Sequence, residues 1–243
     1  MGETVNLKLL VAKAIRMLES YGVLDMHGHA SIRIPGTDRI LINSRLVSRR
    51  EVAVNSIVEV DLEGNPIDAG QEPPSETPIH TEVYKKRSDV HAIVHAHPHY
   101  ASVLTIAGQR ILPVYGIGAF IGEVPVYEDP DLVNTKEKGE RMARALGNAR
   151  IVMIQSHGAV VTGSSIQEAF AATINLEENS KKQVEALQIT PTIKVFTAEE
   201  AERVGKSNWN PKTVMKTWDY FESDARINGR LEGVENANAC APR

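Results

Sequence analysis

The chain has 243 residues, 42% of them apolar and 24% charged, enough to bury one large core or two small ones and too apolar for a disordered chain. No apolar run approaches the roughly 18–20 residues that cross a bilayer, and a net charge of -4 leaves no basic footprint for nucleic acid. The first residues carry no basic stretch or apolar run of a secretory signal, and the single Cys240 allows no internal disulfide. A reducing, cytoplasmic setting is therefore expected, for a small-molecule enzyme or a protein-binding domain.

Residues 6–20 place Leu7, Leu10, Val11, Ala14 and Leu18 on one stripe and predict an amphipathic helix stopped by Gly22. Ser31–Ile34 and Arg39–Ile42 flank Pro35-Gly-Thr-Asp38 as a hairpin, and Ile57–Leu62 alternates as a strand. Thr77-Pro78 reads as an N-cap and first-turn proline of a helix to about Arg87. Val90–His97 reads as a buried strand, followed by a helix from His99 to Ala107 and short strands at Ile111–Val114 and Glu123–Val126.

A helix over Leu132–Leu146 is expected behind Asp129-Pro130, then strands at Ile151–Gln155 and Ala159–Thr162 joined through Ser156-His157-Gly158. Ser165-Ile-Gln-Glu168 is a capping box opening a long helix to about Leu187. Thr197-Ala-Glu-Glu200 is a second such box, and a last helix is expected over Pro211–Leu231. Mixed strands and helices without strict alternation favour an α/β fold with a mixed sheet over a dinucleotide-binding domain. The glycine-rich Gly116–Gly122 lacks the strand–helix setting such a site needs.

Histidine placement is uneven. Five of eight (His80, His91, His95, His97, His99) fall between positions 80 and 99; the others are His27, His29 and His157. Side chains two apart in a strand share a face, so His95 and His97 project together, while Ala92, Val94 and Ala96 form a small apolar face opposite. With Glu76 and His157 they make a plausible divalent-metal site; two core histidines that happen to alternate are the plain alternative. His80 lies one helical turn after Glu76 and can share its face, to bond the glutamate, orient a ligand or donate a proton.

Asp25-Met-His-Gly-His-Ala-Ser-Ile-Arg33, Ser75-Glu76 with His80, Arg87–Pro98, Ser156–Gly163 and Glu168-Ala-Phe170 with Leu176-Glu177 stand in an order that resembles the class II aldolase/adducin family. The resemblance spans about residues 7–188. It implies a three-layer α/β/α domain around a mixed, largely antiparallel sheet over residues 1–190. Residues 191–243 then form a helical extension packing on the same domain or on a neighbouring subunit. It also implies a homotetramer with a small-molecule substrate. His95, His97 and His157 become metal ligands, and Glu76 a fourth ligand or the acid/base. The metal is zinc or manganese, with iron or cobalt also fitting, and no organic cofactor is required.

The sugar-phosphate branch of that family carries small hydroxyl and amide residues that cradle phosphate. Here His27-Gly28-His29, Asn43-Ser44-Arg45-Leu46 and Pro74-Ser75 stand instead. Arginine and histidine suit a carboxylate. The pattern thus resembles the decarboxylases of hydroxylated aromatic dicarboxylates, with His27, His29, Ser44, Arg45 and Ser75 as substrate-binding candidates. The implied chemistry is non-oxidative loss of CO2 through a metal-stabilised carbanion, with Glu76 or His80 returning the proton. Tyr115 stands near the position of a catalytic tyrosine of the aldolases, and Tyr220 is a candidate for a C-terminal substrate-binding tyrosine. Capping roles for His27 and His29 and a solvated surface role for Arg45 remain as plain readings. The rival functions are a metal-dependent aldolase or epimerase acting on a sugar or other hydroxy-carbonyl compound, and a non-catalytic adducin-like binding module.

Overall fold

Seven short runs rich in β-branched residues pair into one sheet in the order β3-β2-β1-β4-β7-β6-β5 in the computed structural model, which describes residues 2–236. Cys240 lies outside the described residues. The strands are β1 (His29–Arg33), β2 (Arg39–Asn43), β3 (Ile57–Asp61), β4 (Ala92–Ala96), β5 (Val126–Tyr127), β6 (Ile151–Ile154) and β7 (Gly158–Gly163). All neighbours are antiparallel except β5 and β6. The sheet is thus mixed and largely antiparallel, as expected.

Helices cover both faces, because β4 presents apolar side chains to each. Ala92, Val94 and Ala96 face a core built with α1 (Glu3–Ser20), α5 (Ile166–Ile189) and α7 (Pro211–Ile227). Ile93 faces the opposite core with α2 (Thr77–Lys86) and α4 (Lys136–Leu146). Small residues on the first face let α5 come close, and Phe170 fills the gap, fully buried, edge-on to Trp218 at 5.3 Å. Truncating such a ring costs about 3–5 kcal/mol.

Several boundaries differ from the sequence expectation for local reasons. The chain at 111–114 is not a strand: the Leu112 N–H donates to Gln183 Oε1 (2.8 Å) and the Val114 N–H to Asn179 Oδ1 (3.2 Å), so side chains of α5 replace a partner strand. The strand expected at Glu123–Val126 shrinks to Val126–Tyr127. Gly116–Ile121 forms a 3-10 turn that carries no dinucleotide motif. The helix expected from Leu132 starts at Lys136 behind Thr135, whose hydroxyl accepts from the Lys138 N–H, because Asp129 is spent on a turn with the Asp131 N–H.

Thr77 is not the cap of α2: Glu76 takes that position, and the Thr77 hydroxyl donates to the Pro74 carbonyl. The last helix stops at Ile227, with Gly229 in the left-handed region at φ 67°. The box at Thr197 forms in full, with Thr197 accepting from the Glu200 N–H and Glu200 from the Thr197 N–H, and opens α6 (Ala198–Asn208). At α5 only the cap half forms, Ser165 accepting from the Glu168 N–H while the Glu168 carboxylate turns to Ser164, so the expected reciprocal box is absent there. Beyond residue 190, α7 docks on α1 through Lys13 and Glu222 (2.9 Å). The segment after α6 docks through a Phe120–Trp209 stack at 3.6 Å. The remaining helix, α3 (His99–Ile106), begins directly after the His95–His97 segment.

Candidate metal centre

At the end of β4 the alternation that builds the sheet delivers two imidazoles to one point. His95 Nε2 and His97 Nε2 lie 3.2 Å apart. From α2, Glu76 Oε2 stands 3.8 Å from His95 Nε2 and 3.9 Å from His157 Nε2. His157 arrives from the turn between β6 and β7, where Ser156 takes the left-handed conformation at φ 53°. Its N–H is held by Thr105 Oγ1, so the fold maintains a backbone geometry that is unfavourable for a serine. Gly158 is required at this turn, because a Cβ there would meet Ala96 O and the His97 ring, each at 2.5 Å.

The second nitrogen of each imidazole decides what the first can do. His95 Nδ1–H donates to the Ala159 carbonyl (3.1 Å), and His97 Nδ1–H donates to Asp25 Oδ2 (2.9 Å). With both protons on Nδ1, two bare Nε2 lone pairs face one another. Burial, with the neighbouring His97 and His157, holds the His95 pKa well below the usual histidine range, so a proton between them is disfavoured. A shared cation resolves the conflict. Ligands about 2.1 Å from a tetrahedral zinc stand roughly 3.4 Å apart, close to the spacings here. His95, His97 and His157 offer nitrogens all within 4.8 Å of one another, and His29, Glu76 and His95 form a second such group. The donor set fits a divalent transition metal.

Supporting groups fix this set. Glu76 Oε1 accepts from the Val133 N–H (2.9 Å), leaving Oε2 to the cluster. Burial raises the Asp25 carboxylate, but the His97 ring and the N–H groups of His27 and Gly28 outweigh it and hold the pKa below the usual range. Burial also lowers His157, against the raising influence of Glu76. Buried Arg49 donates to the carbonyls of Gly28, Ser44 and Val47 and ties the His27–His29 loop to the loop after β2. Glu177 accepts from the N–H groups of Tyr100 and Ala101 and anchors α3 behind His97.

The other candidates divide. His29 is buried on β1 directly across from His95, with ring centroids 4.8 Å apart. His80 is fully buried, and both its nitrogens are engaged: Nε2 with His29 Nδ1 and Nδ1 with Ser31 Oγ, each at 2.6 Å. His80 therefore contacts His29, not Glu76. His27 is exposed, its ring 6.4 Å from that of His97. Ser75 is exposed beside Glu76, and Ser44 is buried with its hydroxyl on the Glu72 carbonyl.

Arg45 lies at the surface with its guanidinium on Glu72. Tyr115 is half-exposed under Lys182, whose ammonium sits 4.4 Å from its ring, and Tyr220 is exposed on α7, edge-on to Phe221. The structure thus gathers Glu76, His29, His95, His97 and His157, and places Arg45 and Tyr220 on the surface of the single chain. Asp25, Ser31, Tyr84 and Arg49 were missed as site residues. Asp25 and Ser31 stood inside the quoted Asp25–Arg33 motif, whereas nothing in the sequence marked Tyr84 or Arg49.

Comparison with known proteins identifies the family of the chain. Residues 10–184 match the family described as Class II Aldolase and Adducin N-terminal domain. A 3,4-dihydroxyphthalate decarboxylase of Arthrobacter keyseri is 33% identical over 184 residues, covering 69% of this chain and 73% of the relative. A decarboxylase of the same name from Terrabacter is also 33% identical, over 69% of this chain and 76% of its own length. The structure of an L-fuculose 1-phosphate aldolase from Glaciozyma antarctica superposes with a TM-score of 0.83 at 23% identity, covering 96% of this chain and 93% of the other. The chain therefore belongs to the class II aldolase and adducin family and is one of its carbon–carbon lyases.

Proposed function

We propose that this lyase is a metal-dependent decarboxylase of a hydroxylated aromatic dicarboxylate. The observation that carries the reading is the donor set: His95 and His97 hold bare Nε2 atoms toward one point while carbonyl and carboxylate partners hold their Nδ1 protons. The 33% identity to a 3,4-dihydroxyphthalate decarboxylase supports the choice of reaction, as do His27-Gly28-His29 where sugar-phosphate enzymes carry phosphate-binding residues.

His95, His97 and His157, with Glu76, would hold a zinc or manganese ion. Bound there, the ion supplies Lewis-acid stabilisation of the charge left when the carbon–carbon bond breaks. Glu76, pinned through Oε1, keeps Oε2 toward His95 and His157 as ligand or acid/base. Burial of His29, His95 and Glu76 thins the water around the developing charge and strengthens each of these contacts. Arg49 fixes the loop that carries His29. Residues 1–190 as the catalytic domain, a C-terminal extension from residue 191 that is helical over α6 and α7, and a homotetramer complete the proposal on the family resemblance; residues 237–243 of that extension lie outside the described residues.

The test is CO2 release from a panel of hydroxylated aromatic dicarboxylates, including 3,4-dihydroxyphthalate, with metal-reconstituted protein and a chelated control. Metal-dependent release is the expected result. Silence across the panel from folded, metal-loaded protein overturns the decarboxylase reading, and cleavage of hydroxy-aldehydes in its place establishes an aldolase.

A further inference from the structure

We infer that His29 delivers the proton that replaces CO2, and that His80, Ser31 and Tyr84 are positioning residues that feed it from solvent. The inference rests on the lyase reading above and adds the route of the proton. On α2, Glu76, His80 and Tyr84 follow one another at four-residue intervals and therefore line one helix face. On β1, His29 and Ser31 line one strand face. The two faces interlock into a single file. Tyr84 Oη lies 2.8 Å from Ser31 Oγ, Ser31 Oγ 2.6 Å from His80 Nδ1, and His80 Nε2 2.6 Å from His29 Nδ1.

The file has two distinct ends. At one, His29 Nε2 is buried without a hydrogen-bond partner, and the His29 ring offers a nitrogen within 4.8 Å of ligand atoms of Glu76 and His95. At the other, two helical turns or ~12 Å along α2, Tyr84, itself 2% exposed, lines an open depression of ≈ 700 Å³ with Arg33 and Lys85, so that the last step to solvent crosses only this wall. A buried polar atom without a partner is costly, and a substrate carbon that needs a proton gives this one a use.

The hydrogen bonds admit one polarity in which Tyr84 donates to Ser31, Ser31 to His80 Nδ1 and His80 Nε2–H to His29 Nδ1, leaving the His29 proton on Nε2. Loss of CO2 leaves the bonding pair on carbon, and His29 Nε2–H protonates it. His29 Nδ1 then takes the His80 proton, His80 takes that of Ser31, Ser31 takes that of Tyr84, and Tyr84 takes one from water. One solvent proton replaces CO2, and nothing is oxidised or reduced. In the reversed polarity Tyr84 Oη donates to the His91 carbonyl at 3.5 Å. Product release readmits water to His29 Nε2, and the same shifts run backward to restore the start.

Two measurements test this. In the first, Tyr84→Phe and Ser31→Ala are assayed in H2O and D2O on whichever compound the wild type decarboxylates. The expected result is a roughly tenfold or greater fall in kcat, with a larger solvent isotope effect and unchanged KM and metal content. Wild-type kcat and isotope effect in both variants overturn the relay. A fall explained by lost metal or lost folding, with the isotope effect unmoved, assigns these residues a structural role and overturns it too.

The second measurement needs no substrate. In histidine-15N NMR of the cadmium-loaded protein, His29 should carry its proton on Nε2 and couple to His80 through the Nδ1 bond. A bare His29 Nε2, or one coupled to cadmium, makes it a base or a ligand and overturns the assignment. A wild type inactive on the whole panel defeats the decarboxylase reading alone, and the NMR result then decides the relay.

Discussion

Two groups of histidines a few ångströms apart differ in how their ring nitrogens are engaged. In the cluster of His95, His97 and His157, two rings have Nδ1 held by an acceptor, Ala159 O or Asp25, and Nε2 atoms that converge on a shared point. In the file of His29 and His80, each ring bonds the next in line, and only the terminal nitrogen is left over. Residue type is the same in both, and burial does not separate them, since His95 is as buried as His29 and His80 while His97 and His157 are partly exposed. The partner of the far nitrogen separates the proposed ligands from the proposed proton carriers, because it dictates which atom keeps a lone pair.

The contrast can be broken hardest at the cluster. His95→Ala removes the proposed buried ligand that stands between the two groups. Stoichiometric metal should fall below a tenth per chain, and turnover by about 10³-fold or more, read by metal analysis and initial rates. Gly158→Ala should come next: its Cβ collides with Ala96 O and the His97 ring at 2.5 Å. Denaturant unfolding should show a loss of about 1–3 kcal/mol together with reduced metal occupancy. Asp25→Asn leaves every proposed ligand in place but weakens the hold on His97 Nδ1, and should cost about 10–100-fold in metal affinity by competition with a chelator.

Acid separates the two groups by another route. His80 in the file is buried and its pKa is lowered to about 3. The unfolded chain binds a proton on this ring near 6.5, whereas the folded chain refuses it. The metal-free protein should therefore lose stability as pH falls from about 6.5 toward 3, by up to roughly 1.4 kcal/mol per unit from this ring. His80→Phe should flatten that slope in unfolding titrations at pH 7 and pH 5. At the far end of the scale, Arg45→Ala removes an exposed ion pair with Glu72 worth about 0–1 kcal/mol. KM for a carboxylate substrate should change by less than about twofold. A rise of tenfold would show that Arg45 leaves Glu72 for substrate.

Much of the cluster was legible because the strand period is strict. His95 and His97 stand two apart beside Ala92, Val94 and Ala96, and the small residues pack on α5 as that alternation requires. The turn through His157-Gly158 was legible as a joint between strands, although the reason for its glycine lies in the His97 ring. The file was half visible: His80 was placed on the Glu76 face of the helix, but its partners His29 and Ser31 lie about fifty positions away on another element. The chain at 111–114 misled, because Asn179 and Gln183 satisfy backbone groups that a neighbouring strand would otherwise take.

The linear order of residues by itself determined most of the elements, the apolar faces and which histidines share a strand face, since these follow from periods of 2.0 and 3.6 residues. The tertiary structure alone decided register and polarity. Pairing His29 with His95 across β1 and β4, laying α2 over that pair and closing the Asp25 loop onto His97 bring together groups distant in sequence. Those contacts determine which nitrogen holds the proton, because a hydrogen bond is set by position in space rather than by position along the chain.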